Sequence, residues 1–484
     1  MPHRLVADVE PAEGFEPPTA GLQIRRTTTY ATLARFGLVA GLTSTSSQGK
    51  PSSGGVQPRA MDDANGLLSP SASTKRGRDP IFAMLSKCQT AAAAGAEVIN
   101  GTIGALLEDD GTLAINATYV DAIKASNALD VAAYSPLSGL PDFNDLLVEL
   151  ALGPERPNLL RHVEARAMAT PGGGGALRLT AANLVQPGGV VLMRDRHWGP
   201  YLGFLGEAGL QRRTWPLLGP HGKDVDVAGF SAALNATVTE QTQVLVWLND
   251  PAHNPTGLSL CAESRADLLE AMVHSALEHP NVGHSLMIDA AYTLYAEEPH
   301  GWATTLAESM DAGMMWPENL MLLWAVSLSK SHTAYGARCG GLVALHPEGE
   351  ALDRVYEAFA VTGRGTWSGP PRAPQTAAVG VHRDAEQATA WGQRLDDLTE
   401  VLARRRAALV AATAARKVPL NPTHDGFFAW LEHERASDIV DFCASRHVYL
   451  VALDGGVRIG LCAMPEACME RVADVMAEAL EVVG

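Results

Sequence analysis

The feature that most constrains this chain is a set of four apolar runs, "GGVVLMRD", "TQVLVWLND", "HSLMIDAAY" and "NLMLLWAVSLSK", each closed by polar or aromatic residues. The runs are continuous rather than alternating, which is the pattern of strands covered on both faces in a parallel sheet. Stretches with helical apolar spacing, such as "CAESRADLLEAMVHSALEH", supply the crossovers. The expected fold class is therefore α/β, with a mostly parallel sheet in a large domain. The run "CGGLVALH" follows the fourth strand too closely for a crossover helix, so it is expected to run antiparallel to its neighbour.

Chemistry-bearing residues cluster just beyond the carboxyl ends of these runs: "RDRHWGPY", "NDPAHNPTG", "DAAY" and "SLSK". Open α/β sheets bind ligands at that edge. Four unrelated surface loops would not be expected to bring aromatic, amide, carboxylate and amine groups to one place.

Composition narrows the partners. With 37 Lys+Arg against 54 Asp+Glu the formal charge is −17, which repels phosphate backbones and anionic membranes and argues against nucleic acid. No window approaches 18 apolar residues, so no membrane span is expected. The six cysteines (Cys88, Cys261, Cys339, Cys443, Cys462, Cys468) never fall into paired metal spacings. They suggest a reducing compartment and no metal site, and so a soluble, cytoplasmic protein.

At 484 residues the chain has room for two or three domains. Residues 1–78 carry nine Lys/Arg against six Asp/Glu, many Ser, Thr, Gly and Pro, and no sustained periodicity, so a disordered, dispensable tail is expected. Within it, "QIRRTTTYATLARFGLVAGL" has the basic start and apolar middle of an export or organelle signal. Its arginines lie late, however, acidic residues precede them, and no convincing small-residue cleavage site follows. Residues 79–130 are expected to form an N-terminal arm and part of a small domain, 131–370 the large domain, and 371–484 the small C-terminal domain. In that last part, Pro371 to Val418 reads as one long helix or a closely joined pair. "DGFFAWL", "HVYLVAL" and "GVRIGLC" read as short strands, and "PEACMERVADVMAEAL" as a closing helix.

Taken singly, Lys330 at a sheet edge is an ordinary solvated charge. In "SLSKSHTAYGAR" it has Arg338 two helical turns on, and a guanidinium plus partial burial would favour the neutral amine that a Schiff base requires. Asp289 closes the apolar strand "SLMID", where a buried carboxylate is costly unless it faces a cation. Gly172 to Gly175 in "TPGGGGALRLTAANL" precede a helical stretch whose N-terminus could hold a phosphate. The G-x-G-x-x-G spacing fails at Leu177, so this is not a dinucleotide fingerprint.

In order, a Gly-rich turn, an aromatic residue, Asn-Pro-Thr-Gly, Asp-x-x-Tyr, Ser-x-x-Lys and an arginine eight residues later resemble the class I aminotransferases of pyridoxal-phosphate fold type I. The likeness extends from about Asp79 to the C-terminus and is greatest to the aspartate and aromatic enzymes. It implies pyridoxal 5'-phosphate as cofactor, bound covalently to Lys330, with Asp289 on the pyridinium nitrogen. It also implies Asn254 and Tyr292 on the ring's 3′-oxygen and Trp198 stacked on the ring. The phosphate would be held by Ser327, Arg338, Gly173 and Gly174, with Tyr134 reaching the phosphate of a neighbouring subunit. Arg458 would clamp the substrate α-carboxylate, Arg364 would read a side-chain carboxylate across a homodimer, and Gly104, with Gly101, would line the substrate entrance beside Asn254.

Two positions depart from that pattern: Gly174 stands where a hydroxyl residue is common, and Tyr201 where the aspartate enzymes place a histidine against the ring-nitrogen carboxylate. The expected reaction moves an amino group between an L-amino acid, aspartate or aromatic, and a 2-oxo acid such as 2-oxoglutarate. The same motifs serve a β-lyase, decarboxylase or synthase, and a non-catalytic cofactor-sensing regulator is the remaining alternative.

Overall fold

The structure is a computed structural model, and it describes residues 67–73, 75, 80–219 and 224–484. The chain divides into two compact units, Met1–Lys75 and Arg76–Gly484. In the first unit the described residues include one short helix, Pro70–Ser73. The expectation of a disordered tail falls mostly on residues outside the described ones.

The second unit opens with helix α1 (Pro80–Ala93) and the two-residue strand β1 (Ile99–Asn100). Next come β2 (Glu164–Thr170), α2 (Gly173–Asn183), β3 (Val190–Arg194), α3 (Tyr201–Ala208), β4 (Gln211–Trp215), β5 (Gln243–Asn249), β6 (Gly283–Asp289) and β7 (Leu320–Ser327). A four-residue helix, α4 (Leu328–Ser331), carries Lys330, and β8 (Gly340–His346) follows it. These strands form one seven-stranded sheet in the order β2-β8-β7-β6-β5-β3-β4. Strands β3 to β7 pair in parallel, while β8 lies antiparallel between β7 and β2, as its short connection requires.

The continuous apolar runs have the expected cause. Along β7, Leu320, Leu322, Trp324 and Val326 enter one core, and Met321, Leu323 and Ala325 enter a second core on the opposite face. Each buried Leu, Met or Val side chain of this strand contributes about 1.5–3 kcal/mol. Strands β2 and β4 have no comparable run in the sequence. They are the sheet's two edges, and "EARAMAT" and "QRRTW" bury only part of their length.

Register then fixes the site. Asn249, Asp289 and Ala325 lie side by side at the carboxyl ends of β5, β6 and β7. On the other side of β7, Ser327 aligns with Gly340 and Gly340 with Thr170, which brings the glycine turn after β2 beside the lysine helix. A Cβ on Gly340 would lie 2.3 Å from the Val326 carbonyl oxygen and 3.0 Å from the Gly172 Cα, so only glycine permits this approach.

Helix α5 (Gly349–Thr366) leads to the joined pair α6 (Arg372–Arg383) and α7 (Ala385–Ala415). The break falls at Asp384, whose Oδ1 accepts from the Glu386 and Gln387 amides at 3.0 Å and caps α7. Beyond α7, β9 (Phe428–Glu432), β10 (Val448–Tyr449), β11 (Val451–Leu453) and β12 (Gly456–Gly460) precede the closing helix α8 (Met469–Val483). β12 pairs antiparallel with β9 and β11, and β1 pairs parallel with β10. A separate apolar cluster joins α1, α7, α8 and these strands, with Met84 and Cys88 of α1 buried in it. Among the described residues no helix is long and apolar enough to cross a membrane, and no group of His, Cys, Asp and Glu could hold a metal ion.

Candidate active site

A cavity of about 300 Å³ opens at the carboxyl edge of β5, β6 and β7. Lys330 lies at its centre. The Ser327 hydroxyl caps α4 by accepting from the Ser329 amide at 3.4 Å, and one turn of helix carries the lysine off the strand end. Lys330 Nζ donates to the Gly104 carbonyl at 3.0 Å and sits 4.8, 5.3 and 5.9 Å from the ring centres of Tyr335, Tyr292 and Phe427. Those ring faces favour the ammonium form. Burial opposes it and wins, with the Arg338 and Arg458 guanidinium groups adding to its effect against Cys462 and Asp289, and the pKa falls to about 8.

Asp289 ends β6 almost fully buried. Its Oδ2 accepts from the Tyr201 hydroxyl at 2.6 Å, and its Oδ1 from the Ala291 amide at 3.3 Å. Asn249 Nδ2 donates to the Asp289 backbone oxygen at 2.8 Å. Burial raises the pKa of the carboxyl, while the Tyr201 and Ala291 hydrogen bonds and the Lys330 charge pull it down. Asn254 is held by its own amide, which donates to Asn249 Oδ1 at 2.7 Å, and its Nδ2 donates to the Tyr292 hydroxyl at 3.3 Å. Its Oδ1 is buried and has no partner among the described residues. A buried amide oxygen lining a cavity in this state is suited to a polar ligand.

An anion cradle closes one end. Gly172 has φ +73° and turns the chain into α2, whose first residues, Gly173 and Gly174, line the cavity. A Cβ on Gly172 would lie 3.2 Å from Arg338 Nη2. Arg338, itself at φ +50°, is held by hydrogen bonds from Nη1 to Ser329 Oγ at 3.2 Å and to the Tyr335 carbonyl at 2.9 Å. A helix N-terminus, a guanidinium and the hydroxyls of Ser327 and Ser329 thus converge where a phosphate would be stabilised. Position 174 has its own steric reason: a Cβ there would lie 3.2 Å from Phe204 Cζ, so Phe204 takes the space a hydroxyl side chain would need.

Trp198 lines the same cavity, edge-on to the Tyr201 ring at 5.7 Å. Arg458, on β12, is buried with its guanidinium 4.5 Å from the Phe428 ring centre and donates to the Thr102 carbonyl. Gly104 reaches the cavity, and a Cβ on it would lie 3.3 Å from Phe428 Cζ. Gly101 instead packs against Leu450 and Met464.

The structure therefore gathers Lys330, Asp289, Tyr292, Asn254, Trp198, Gly173, Gly174, Ser327, Arg338, Gly104 and Arg458 around one cavity. It does not bring Tyr134 or Arg364 there within one chain. Tyr134 is 90% exposed, and Arg364 is exposed on the last turn of α5, donating to Ser368 Oγ at 2.7 Å. Sequence reasoning missed Tyr335, Asn249, Phe428 and Ile81, which also line the cavity. Tyr335 had a signal, its place between Lys330 and Arg338; its hydroxyl accepts from the Leu106 amide at 2.9 Å and steadies the segment bearing Gly104.

The volume and lining fit a small anionic molecule, with a buried carboxylate and amide, an amine and a phosphate-type cradle around one cavity. The family model for aminotransferase class I and II matches residues 96–476. The chain is 25% identical over 333 residues to an aromatic-amino-acid aminotransferase of Escherichia coli, covering 68% of this chain and 79% of that relative. It is similar to the structure of an aminotransferase from Anaerococcus prevotii, with TM-score 0.80, 25% identity and coverage of 85% and 98%. It also shares the fold of an aromatic-amino-acid aminotransferase from Burkholderia pseudomallei covalently bound to pyridoxal phosphate, with TM-score 0.69, 23% identity and coverage of 85% and 100%.

Proposed function

Since the chain belongs to the class I and II aminotransferase family and is a pyridoxal-phosphate-dependent transaminase, we propose that it moves an amino group between an aromatic or dicarboxylic L-amino acid and a 2-oxo acid such as 2-oxoglutarate. The observation that carries this reading is the enclosed Lys330 amine, with a pKa of about 8, set between the buried Asp289 carboxylate and the Arg338 cradle.

When bound, pyridoxal phosphate supplies an electron-withdrawing ring that stabilises negative charge at the substrate Cα. The residues divide that task by chemistry. Lys330 Nζ holds the cofactor and moves the proton at the substrate Cα. Asp289 would hold the protonated ring nitrogen, Asn254 and Tyr292 would hold the 3′-oxygen, and Trp198 would cover the ring face. Ser327, Arg338 and the Gly173–Gly174 amides would hold the phosphate. Arg458 receives the α-carboxylate, and its contacts with Phe428 and Thr102 orient it beside Gly104.

The exposure of Tyr134 and Arg364 suits groups presented to a second copy, and a homodimer with twofold symmetry is the assembly in which both would reach a neighbour's site. We place residues 79–130 and 371–484 in a small domain, 131–370 in a large one, and 1–78 outside both. All six cysteines are free, which supports a reducing, cytoplasmic location.

Two arginines give a kinetic test. Arg458→Ala should lower kcat/KM for every amino acid, because all carry the α-carboxylate. Arg364→Ala should lower it selectively for glutamate and aspartate, by about tenfold to several hundredfold, and nearly spare phenylalanine. Equal losses for glutamate and phenylalanine in Arg364→Ala would remove Arg364 as the dicarboxylate reader.

A further inference from the structure

The Asp289 carboxylate does not stand alone behind the cavity. Tyr201, the first residue of α3, is 1% exposed and turns its hydroxyl onto Asp289 Oδ2 at 2.6 Å, a length typical of a hydroxyl donating to an ionised oxygen. The ring that carries this hydroxyl is fixed on three sides. Trp247 of β5 meets it edge-on at 5.1 Å, Trp198 at 5.7 Å, and His197 lies nearly parallel to it at 6.2 Å. Trp247 is itself held, its Nε1 donating to Thr180 Oγ1 at 3.2 Å. The phenol is therefore built into the wall, with little freedom to turn away.

We infer that Tyr201 is a positioning residue for the reaction: its single neutral hydrogen bond fixes Asp289 as an ionised carboxylate, aimed into the cavity at the pyridinium nitrogen. This rests on the proposed role of Asp289. A carboxylate offers about four acceptor sites. Tyr201 takes one on Oδ2 and the Ala291 amide one on Oδ1, so each oxygen is tethered from the protein side and both retain capacity toward the cavity.

The electrostatics point the same way. Burial alone would drive Asp289 toward the neutral acid, which could not hold a protonated ring nitrogen, and the Tyr201 hydroxyl opposes that drift. An imidazole could do so by adding positive charge, but it would then compete with the ring for the carboxylate and titrate near neutrality. A buried phenol does neither, since burial and the Asp289 charge keep its proton in place. The negative charge of Asp289 is left for the ligand.

The test is a titration of cofactor-free protein with pyridoxal phosphate, followed by fluorescence, together with the thermal midpoint of each cofactor-free variant. Tyr201→Phe keeps the ring and its packing but removes the donor. It should weaken pyridoxal phosphate binding about ten- to a hundredfold, the range for losing a hydrogen bond to a charged group, with little change in the cofactor-free midpoint. Asp289→Asn should weaken binding at least as much. Adding Tyr201→Phe to Asp289→Asn should cost less than about twofold more, because the two residues act as one unit. Tyr201→His, which restores a donor, should recover part of the loss. Binding by Tyr201→Phe within twofold of the natural protein would overturn the inference, and so would a double variant that loses the full product of the single effects. If Asp289→Asn itself bound pyridoxal phosphate normally, the role of Asp289 would fail first and that of Tyr201 with it. Weakened binding by Asp289→Asn with normal binding by Tyr201→Phe would overturn the Tyr201 inference alone, and is thus distinguishable from failure of the Asp289 assignment.

Discussion

At the scale of one residue, Lys330 shows how a local environment turns a common side chain into a reagent. A lysine at its ordinary value of 10.5 is neutral in about one molecule in a thousand at pH 7.5, whereas one at about 8 is neutral in about a quarter. Only the neutral amine attacks a carbonyl. Reloading of the cofactor-free protein with pyridoxal phosphate should therefore accelerate with pH and level off above about 8, and a stopped-flow pH series measures this. The same shift has a stability consequence. Between pH 8 and 10.5 the folded protein binds fewer protons than the unfolded chain, so the cost of burying the ammonium is complete below pH 8 and is relieved as pH rises. Lys330→Met should accordingly stabilise the cofactor-free protein by up to about 3 kcal/mol below pH 8, with the gain vanishing near pH 10.5. Denaturant midpoints at pH 7 and pH 10 check the sign, and an equal gain at both would contradict it.

At the scale of elements, α7 does more than cover a core. Arg405, 1% exposed, sends Nη1 to the Leu461 and Cys462 carbonyls at 3.3 and 3.1 Å, and Nη2 to the Leu107 carbonyl at 2.9 Å and Asp109 at 2.8 Å. One guanidinium thus ties the segment bearing Gly104 to the strand region bearing Arg458. Arg405→Met should lower stability by about 2–4 kcal/mol, since buried carbonyls lose charged donors, and should raise KM more than it lowers kcat. Thermal unfolding alongside steady-state kinetics separates this from a purely structural loss, in which KM would be unchanged.

Elements also show where sequence was informative. β3, β5, β6 and β7 were legible because both faces are buried and their runs are unbroken. The lysine and its helix were legible through Ser327 and the spacing to Arg338. The edge strands β2 and β4 were not, because a strand buried over only part of its length has too short an apolar pattern to distinguish "EARAMAT" or "QRRTW" from a helix or loop. From sequence, Phe428 is legible only as part of a strand. Its place over Arg458 depends on the register of β9 with β12, where Arg458 aligns with Trp430, and no local pattern encodes that pairing. Ile81 likewise reaches the cavity from α1, far away in sequence.

At the scale of the molecule, the cavity is assembled from parts remote in sequence: the sheet edge gives Asn249, Asp289 and Lys330, the glycine turn gives the cradle, and the C-terminal strands give Arg458. Each part is held by its own core, so packing fixes the constellation. The central claim is that this cavity carries pyridoxal phosphate on one lysine and uses it for amino transfer. The most direct measurement is borohydride reduction of the purified holoenzyme followed by peptide mapping, with a parallel sample treated first with excess glutamate in the absence of any oxo acid. The account predicts a reduced cofactor–lysine linkage on Lys330 in the untreated sample. It also predicts loss of that linkage after glutamate, because the amino group has moved to the cofactor and the lysine is released. A label on another lysine, no label at all, or a label on Lys330 that glutamate does not diminish would contradict it.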